Sequence, residues 1–330
     1  MEFLRFGAEV AAGEEAATGY WMRWQTLVCA LIVVAPAVAA VVVAARAPAP
    51  ARPLRAVDLW APCWAGMHPA WLLAYRGFVF LAMAWLLFQM ILFRGFSAFY
   101  FYTQWTFALV IVYFAIATII SAHGCWLYSK RSIMPDQEVN RFLNGGFEQN
   151  SPMTLPLRTN KNMNVIRLQS YHEQEADEKK AGFWGHAMQL VYQTSAGAVV
   201  LTDIVFWVLL VPYLSSINFR LNAIMGCMHS LNAVFLLLDT FLNNLPFPLF
   251  RMAYFAFWSC IYVTFQWILH ARGFTWWPYP FLDLATHWAP LWYFLMALAH
   301  IPCYGLYWLI VRAKNSFCPK FLPNAFIRIY

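Results

Sequence analysis

One histidine, two threonines and two aspartates stand in stretches otherwise built from Ala, Val, Leu, Phe and Met. His229 lies in "GCMHSLNAVFLLLDTFLNN" (226–244) with Asn232 and Asp239; Thr103 and Thr106 open "YTQWTFALVIVYF" (102–114); Asp203 interrupts a third apolar run. A threonine hydroxyl is a weak nucleophile. It becomes useful when a neutral imidazole takes its proton and a third group orients the ring. Acyl transfer is therefore the chemistry these types could perform together. The plainer alternative is that the threonines bond back to their own helices and the other polar groups hold helices together, at about 0.6 kcal/mol per contact.

The elements that must position these residues are membrane helices. Apolar residues make up 62% of the 330 and charged residues only 11%, against about 25% in soluble domains. So few charges cannot cover a globular surface. A span needs about 20 apolar residues, and seven runs qualify: roughly 22–45, 70–92, 98–122, 184–211, 219–242, 249–271 and 288–311. The runs are continuous and do not alternate, which excludes membrane strands. The expected fold is all-α, an integral membrane bundle of about seven transmembrane helices, with the lipid bilayer as its constant partner. The first run exceeds the core of a signal peptide, and four glutamates against Arg5 and Arg23 leave it without a positive flank, so it reads as an uncleaved span rather than a leader.

Basic residues set the orientation. The N-terminal segment (1–21), with Arg23 just after it, and the second, fourth and sixth loops carry five; the opposite side carries sixteen. The rule that positive loops stay inside predicts a lumenal or external N-terminus and a cytoplasmic tail (312–330). This bias accounts for the net charge of +7, so no nucleic-acid partner is expected. Residues 46–69 form a Pro- and Ala-rich connector ("RAPAPARP") between the first two of the three spans in 22–127. Residues 128–183, with seven acids and eight bases, read as a flexible cytoplasmic loop. The last four spans occupy 184–311. The sixth loop, "GFTWWPYPFLDLATH", reads as an aromatic lid.

On a continuous helix Asn222, His229, Asn232, Asp239 and Asn243 share a stripe roughly 100° wide. That stripe must face the bundle interior or a wet cavity. Gln189, Tyr192, Gln193 and Asp203 repeat the pattern on the fourth span. An aspartate at mid-helix costs about 2.5–3.5 kcal/mol, so Asp203 and Asp239 need partners or a proton. Arg76 is the only basic residue inside an apolar span and matches Asp239 in depth. The two could form an ion pair; the alternative is that Arg76 snorkels to the interface. His300 lies at a depth similar to His229, an arrangement that could ligate haem axially. Isolated histidines without a dense ligand set favour a hydrogen bond within the bundle instead, and no cofactor or metal is expected. The seven cysteines are scattered; Cys318, near the membrane in the basic tail, is either a palmitoylation site or a free thiol.

"MHSLNAVFLLLD" and "GFTWWPYPFL" (273–282) resemble the androgen-induced protein family and its rolling stone relatives, over roughly 70–313. "YTQW" (102–105) resembles the family's Tyr-x-Thr or Thr-x-Trp start. The likeness implies a membrane hydrolase of fatty acid esters of hydroxy fatty acids. His229 would act with Thr103 or Thr106, Asn232, Asp203, Asp239 and Arg76 would support them, and Trp277, Tyr279, Pro280 and Phe281 would form the lid. The first span and long third loop depart from the hydrolases and bring the chain nearer the rolling stone branch. That branch implies the alternative, a noncatalytic membrane scaffold or cell-surface interaction protein.

Overall fold

A computed structural model describes residues 19–46, 53–144, 179–212 and 223–327. Residues 1–18 of the N-terminal segment, 47–52 of the connector, 145–178 of the polar segment, Arg220, Asn222 and residues 328–330 of the tail lie outside the described residues.

The chain is all-α, and seven segments are long and apolar enough to cross a membrane. In order they are α1 (Trp24–Arg46), α2 (Pro69–Arg94), α3 (Tyr102–Asn144), α4 (Phe183–Ile204), the pair α5 (Ala223–Met228) and α6 (Leu231–Leu242), α7 (Met252–Ala271) and α8 (Ala289–Phe321). It is an integral multi-pass membrane protein. Along α2, Trp71, Phe78, Trp85 and Leu92 recur every seventh residue and are each at least 60% exposed. A face of that kind is stable only against hydrocarbon, and the helical backbone satisfies its own polar groups there.

Local sequence explains the ends of α2. His68 caps its start, Nδ1 accepting from the Ala70 amide at 3.2 Å, and Pro69 takes a first-turn position that needs no N–H donor. Gly95 ends it at φ 67°, a conformation that costs glycine little. Two helices outrun their expected spans: α3 continues to Asn144 and α8 to Phe321. The polar segment therefore begins as helix, and most of the expected tail is helical. Lys, Arg, Glu and Gln are good helix formers, so a helix does not stop where the apolar layer does.

α4 is the centre of the bundle, packed against α3, α6, α7 and α8. Its small residues permit this. A Cβ on Gly197 would stand 2.5 Å from the Phe255 ring of α7. α2 lies against α3 and α6, whereas α1 lies on the other side against α7 and α8.

The two ends of the bundle are closed differently. At one end the connector folds over the helices. Its Leu54 carbonyl accepts from Ala181, and Ala56 donates to the Lys179 carbonyl, each at 2.8 Å. Residues 63–65 pair with the end of the chain through Ala65 N–H to Ala325 O (2.7 Å) and Ile327 N–H to Cys63 O (2.8 Å). Trp60 seats on α3 where Gly124 leaves room; a Cβ there would fall 2.1 Å from the indole. At the other end lies the loop between α7 and α8. Tyr279, Leu282 and Leu284 point inward and are buried. Phe101 meets Trp276 and Tyr279 edge-on at 5.7 and 5.9 Å.

Candidate intramembrane site

The helix carrying His229 is broken there. The expected continuous span is corrected to two helices separated by His229 and Ser230. Side chains displace the backbone ladder. In an unbroken helix the His229 carbonyl would accept from Ala233. Instead it accepts from the Trp207 indole at 3.0 Å, while the Ala233 amide donates to Asn232 Oδ1 at 2.8 Å. The break interrupts the angular phase between His229 and the α6 residues, so they do not form one regular stripe. A second irregularity faces it: α4 widens into a π-helical turn over Val205–Leu210. The turn lays Phe206 flat on His229, ring centroids 3.5 Å apart and planes within 2°. Such turns often occur at functional sites.

Around His229 several buried polar atoms have no partner: its own Nδ1, Asp203 Oδ1, Asn232 Nδ2 and Gln104 Oε1. His229 Nδ1 stands 3.9 Å from Asp203 Oδ1, too far for a hydrogen bond. Asn232 is fully buried, and His229 and Gln104 are 6% and 7% exposed. Burying an unpaired polar group costs about 1–3 kcal/mol, so four together are a costly concentration of unmet hydrogen-bonding capacity.

His229 lines two adjoining cavities and a third adjoins one of them, while Asp203 and Asn232 line none of the three. The largest, about 280 Å³, lies under the α7–α8 loop, with Arg94, Gln104, Trp276 and Pro280 in its walls. It shares Thr103, Phe206, His229 and Tyr279 with a second of about 90 Å³, which adds Ser259 and His300. A third, also about 90 Å³, shares Ser259 and His300 and reaches Ile32, Val33 and Pro36 of α1. The linings are mostly aliphatic and aromatic, with hydroxyls and imidazoles set among them. That composition suits an acyl chain with a polar group along its length.

The structure separates the residues singled out above. Thr103 lines both cavities that His229 lines. Thr106 is fully buried, lines none of the three cavities and accepts from the Thr202 hydroxyl at 3.2 Å. Among the described residues no hydrogen bond joins either threonine to His229. Tyr279, Pro280 and Phe281 wall the cavities, whereas Trp277 stacks on His270 at 4.4 Å. Burial pushes the Tyr279 phenol up, an effect that hydrogen bonding from Thr103 opposes.

Arg76 and Asp239 meet each other at the connector end, away from His229. Both are fully buried, with Nε–Oδ1 at 2.8 Å. Asp239 also accepts from Tyr113 and from Asn243 Nδ2 at 2.8 Å. Arg76 donates further to the Leu59 carbonyl at 2.8 Å and the Ser121 hydroxyl at 2.7 Å. Nearby, Lys314 gives two 2.8 Å hydrogen bonds to the carbonyls of Thr240 and Asn243. Tyr113 and Lys314 gave no signal in the sequence: one looks like an ordinary apolar-run tyrosine, the other like part of a basic tail. Comparison with known protein families, with characterised proteins and with solved structures finds no match.

Proposed function

We propose that this protein takes the acyl chain of a lipid ester from the bilayer into the cavities around His229, and hydrolyses it with Thr103 as nucleophile and His229 as base. The observation that carries this reading is that Thr103 and His229 line the same two apolar cavities under the aromatic loop. The unpartnered atoms of Asp203, Asn232 and Gln104 offer hydrogen bonds to the ester group or to the attacking water. The resemblance to the androgen-induced proteins points the same way. Its basic asymmetry favours an orientation with the loop end lumenal or external. The ester would then be cleaved in that half of the membrane.

A second reading rests on a specific observation. The His229 ring is stacked flat on Phe206, its Nδ1 is unpartnered, and no hydrogen bond links it to Thr103. Binding of the lipid without cleavage, by a noncatalytic scaffold, needs nothing more than this. Turnover of a fatty acid ester by protein purified in detergent separates the two. Hydrolysis lost about 100-fold or more in both Thr103→Ala and His229→Ala supports the first. Ester binding without turnover supports the second.

A further inference from the structure

We propose that Ser259 and His300 form a nucleophile–base pair in the same cavities, and that the acyl group of a lipid ester is carried on Ser259 Oγ. The inference rests on the cavities admitting a lipid ester, but not on Thr103 or His229 being catalytic.

The hydrogen bonds run in one direction. His300 Nδ1 lies 2.7 Å from the Met296 carbonyl oxygen. A carbonyl only accepts, so Nδ1 carries the proton. In a neutral ring Nε2 is then an acceptor, and its partner at 2.7 Å is Ser259 Oγ. Ser259 must donate to it. Tyr102 Oη, 2.8 Å from the same Oγ, therefore donates to Ser259. The chain is Tyr102 to Ser259 to His300 to a backbone carbonyl that fixes the tautomer. This is the arrangement that prepares a hydroxyl for attack: nucleophile, base within hydrogen-bond reach, and a third group orienting the base. The three side chains come from α3, α7 and α8. All three line the second cavity, and Ser259 and His300 also line the third.

Thr103 and His229 are less prepared. Nothing orients His229 Nδ1, whereas both nitrogens of His300 are engaged. A purely structural bond between helices would explain the Ser259–His300 contact, but would not require it to sit in the walls of two apolar cavities. Ser259 lies where they meet, so an acyl tail in the cavity beside α1 would bring its ester carbonyl to Oγ.

The reaction balances with water as the only co-reactant. Oγ forms a bond to the carbonyl carbon as its proton passes to His300 Nε2. The Tyr102 hydroxyl, 2.8 Å from Oγ, is a donor that can turn to the developing oxyanion. The alkoxy bond breaks, and the leaving oxygen takes the proton from His300. Water from the larger cavity then attacks the acyl carbon, again losing its proton to Nε2. Oγ leaves and regains a proton, releasing a fatty acid.

A long-chain alkyl fluorophosphonate reports the nucleophile directly, because the hydroxyl oxygen bonds phosphorus and fluoride leaves. The full-length protein in detergent is treated with it, digested and mapped by mass spectrometry. The expected adduct is on Ser259, lost in Ser259→Ala, slowed at least 100-fold in His300→Gln, and retained in Ser97→Ala, an exposed serine outside the cavities. The wild-type map alone tests the proposal should the variants fail to fold. An adduct on Thr103 that disappears in His229→Ala overturns the Ser259 assignment while supporting the reading above. No adduct on any hydroxyl, with the protein folded and the same reagent labelling a control serine hydrolase, overturns both.

Discussion

Asp203 and Asp239 are the same residue in the same costly medium, and the protein treats them oppositely. Asp239 sits at the closed connector end with Arg76, Tyr113 and Asn243 on its oxygens. Every one of those partners is fully or almost fully buried. Asp203 sits near the loop end beside cavities, with Oδ1 unpaired and the nearest imidazole nitrogen 3.9 Å away. Asp239 is saturated with donors and ties helices together, whereas Asp203 keeps an unpaired oxygen close to cavities that it does not itself line.

The comparison can be broken most sharply at Asp239. Asp239→Ala leaves Arg76 charged and buried without its partner, and such a loss costs about 3–5 kcal/mol. Thermal unfolding in detergent should show a large drop in midpoint, or no folded protein. A small drop would mean that the network does not hold the connector end together. Lys314→Met should come next. It removes two 2.8 Å bonds from a cation to the carbonyls of Thr240 and Asn243, but it also removes the cost of burying the ammonium, so the net loss should be about 1.5–3 kcal/mol. Gly197→Ala tests the packing of the bundle centre without touching a charge. The added methyl drives into Phe255, and overpacking costs about 1–3 kcal/mol. Asp203→Asn should cost least, under about 1 kcal/mol, because no partner of its free oxygen is lost. The same substitution should change lipid binding or turnover measurably. A destabilisation matching that of Asp239→Ala would erase the distinction between the two ends.

A chemical test sharpens the same contrast at the connector. Burial pushes the Cys63 thiol from 9.0 up to about 11. Its folded value is raised, so the stability tied to the protonated thiol is complete below about 9. It is lost as pH rises through about 11. Alkylation of Cys63 in the folded protein should therefore be slow at pH 8 and rise only toward pH 11. Rapid modification at pH 8 would show that the connector does not stay closed over the helices.

The sequence spoke most clearly where one property decides. Apolar run length located the seven spans, because a span must match the bilayer. Depth alone suggested Arg76 with Asp239, because an unpaired charge at that depth is intolerable. The break at His229 and the π-turn at Val205 were not legible. At the break, the Trp207 indole reaches the His229 carbonyl only when the two segments meet, and Asn232 takes the next amide within its own turn; the apolar run from Val205 carries no residue that marks the π-turn. Thr103 was separable from Thr106 only in three dimensions, since both lie in the first turns of α3 and only one faces the cavities. Ser259 gives no signal in "WSCIYVTF", since a lone serine in an apolar helix ordinarily bonds back to its own turn. Here it does so weakly, at 3.4 Å to Phe255, and its shorter bonds reach other helices. For His300 a hydrogen bond inside the bundle was expected; its ring makes one to its own helix and another to α7.

The pairing of residues 63–65 with 325–327 sets a timetable for biosynthesis. The connector leaves the ribosome early, but the strand-like partner of Cys63 and Ala65 follows about 260 residues later, which at 5–20 residues per second is a wait of roughly 13–50 s. Lys314, which ties the carbonyls at the end of α6, arrives almost as late. During that interval Arg76 and Asp239 can meet, because both have been synthesised by residue 239, yet the cover over them cannot close. The nascent protein should therefore pass through a stage with its connector open to proteases and chaperones, and shortening the chain before residue 322 should trap it there.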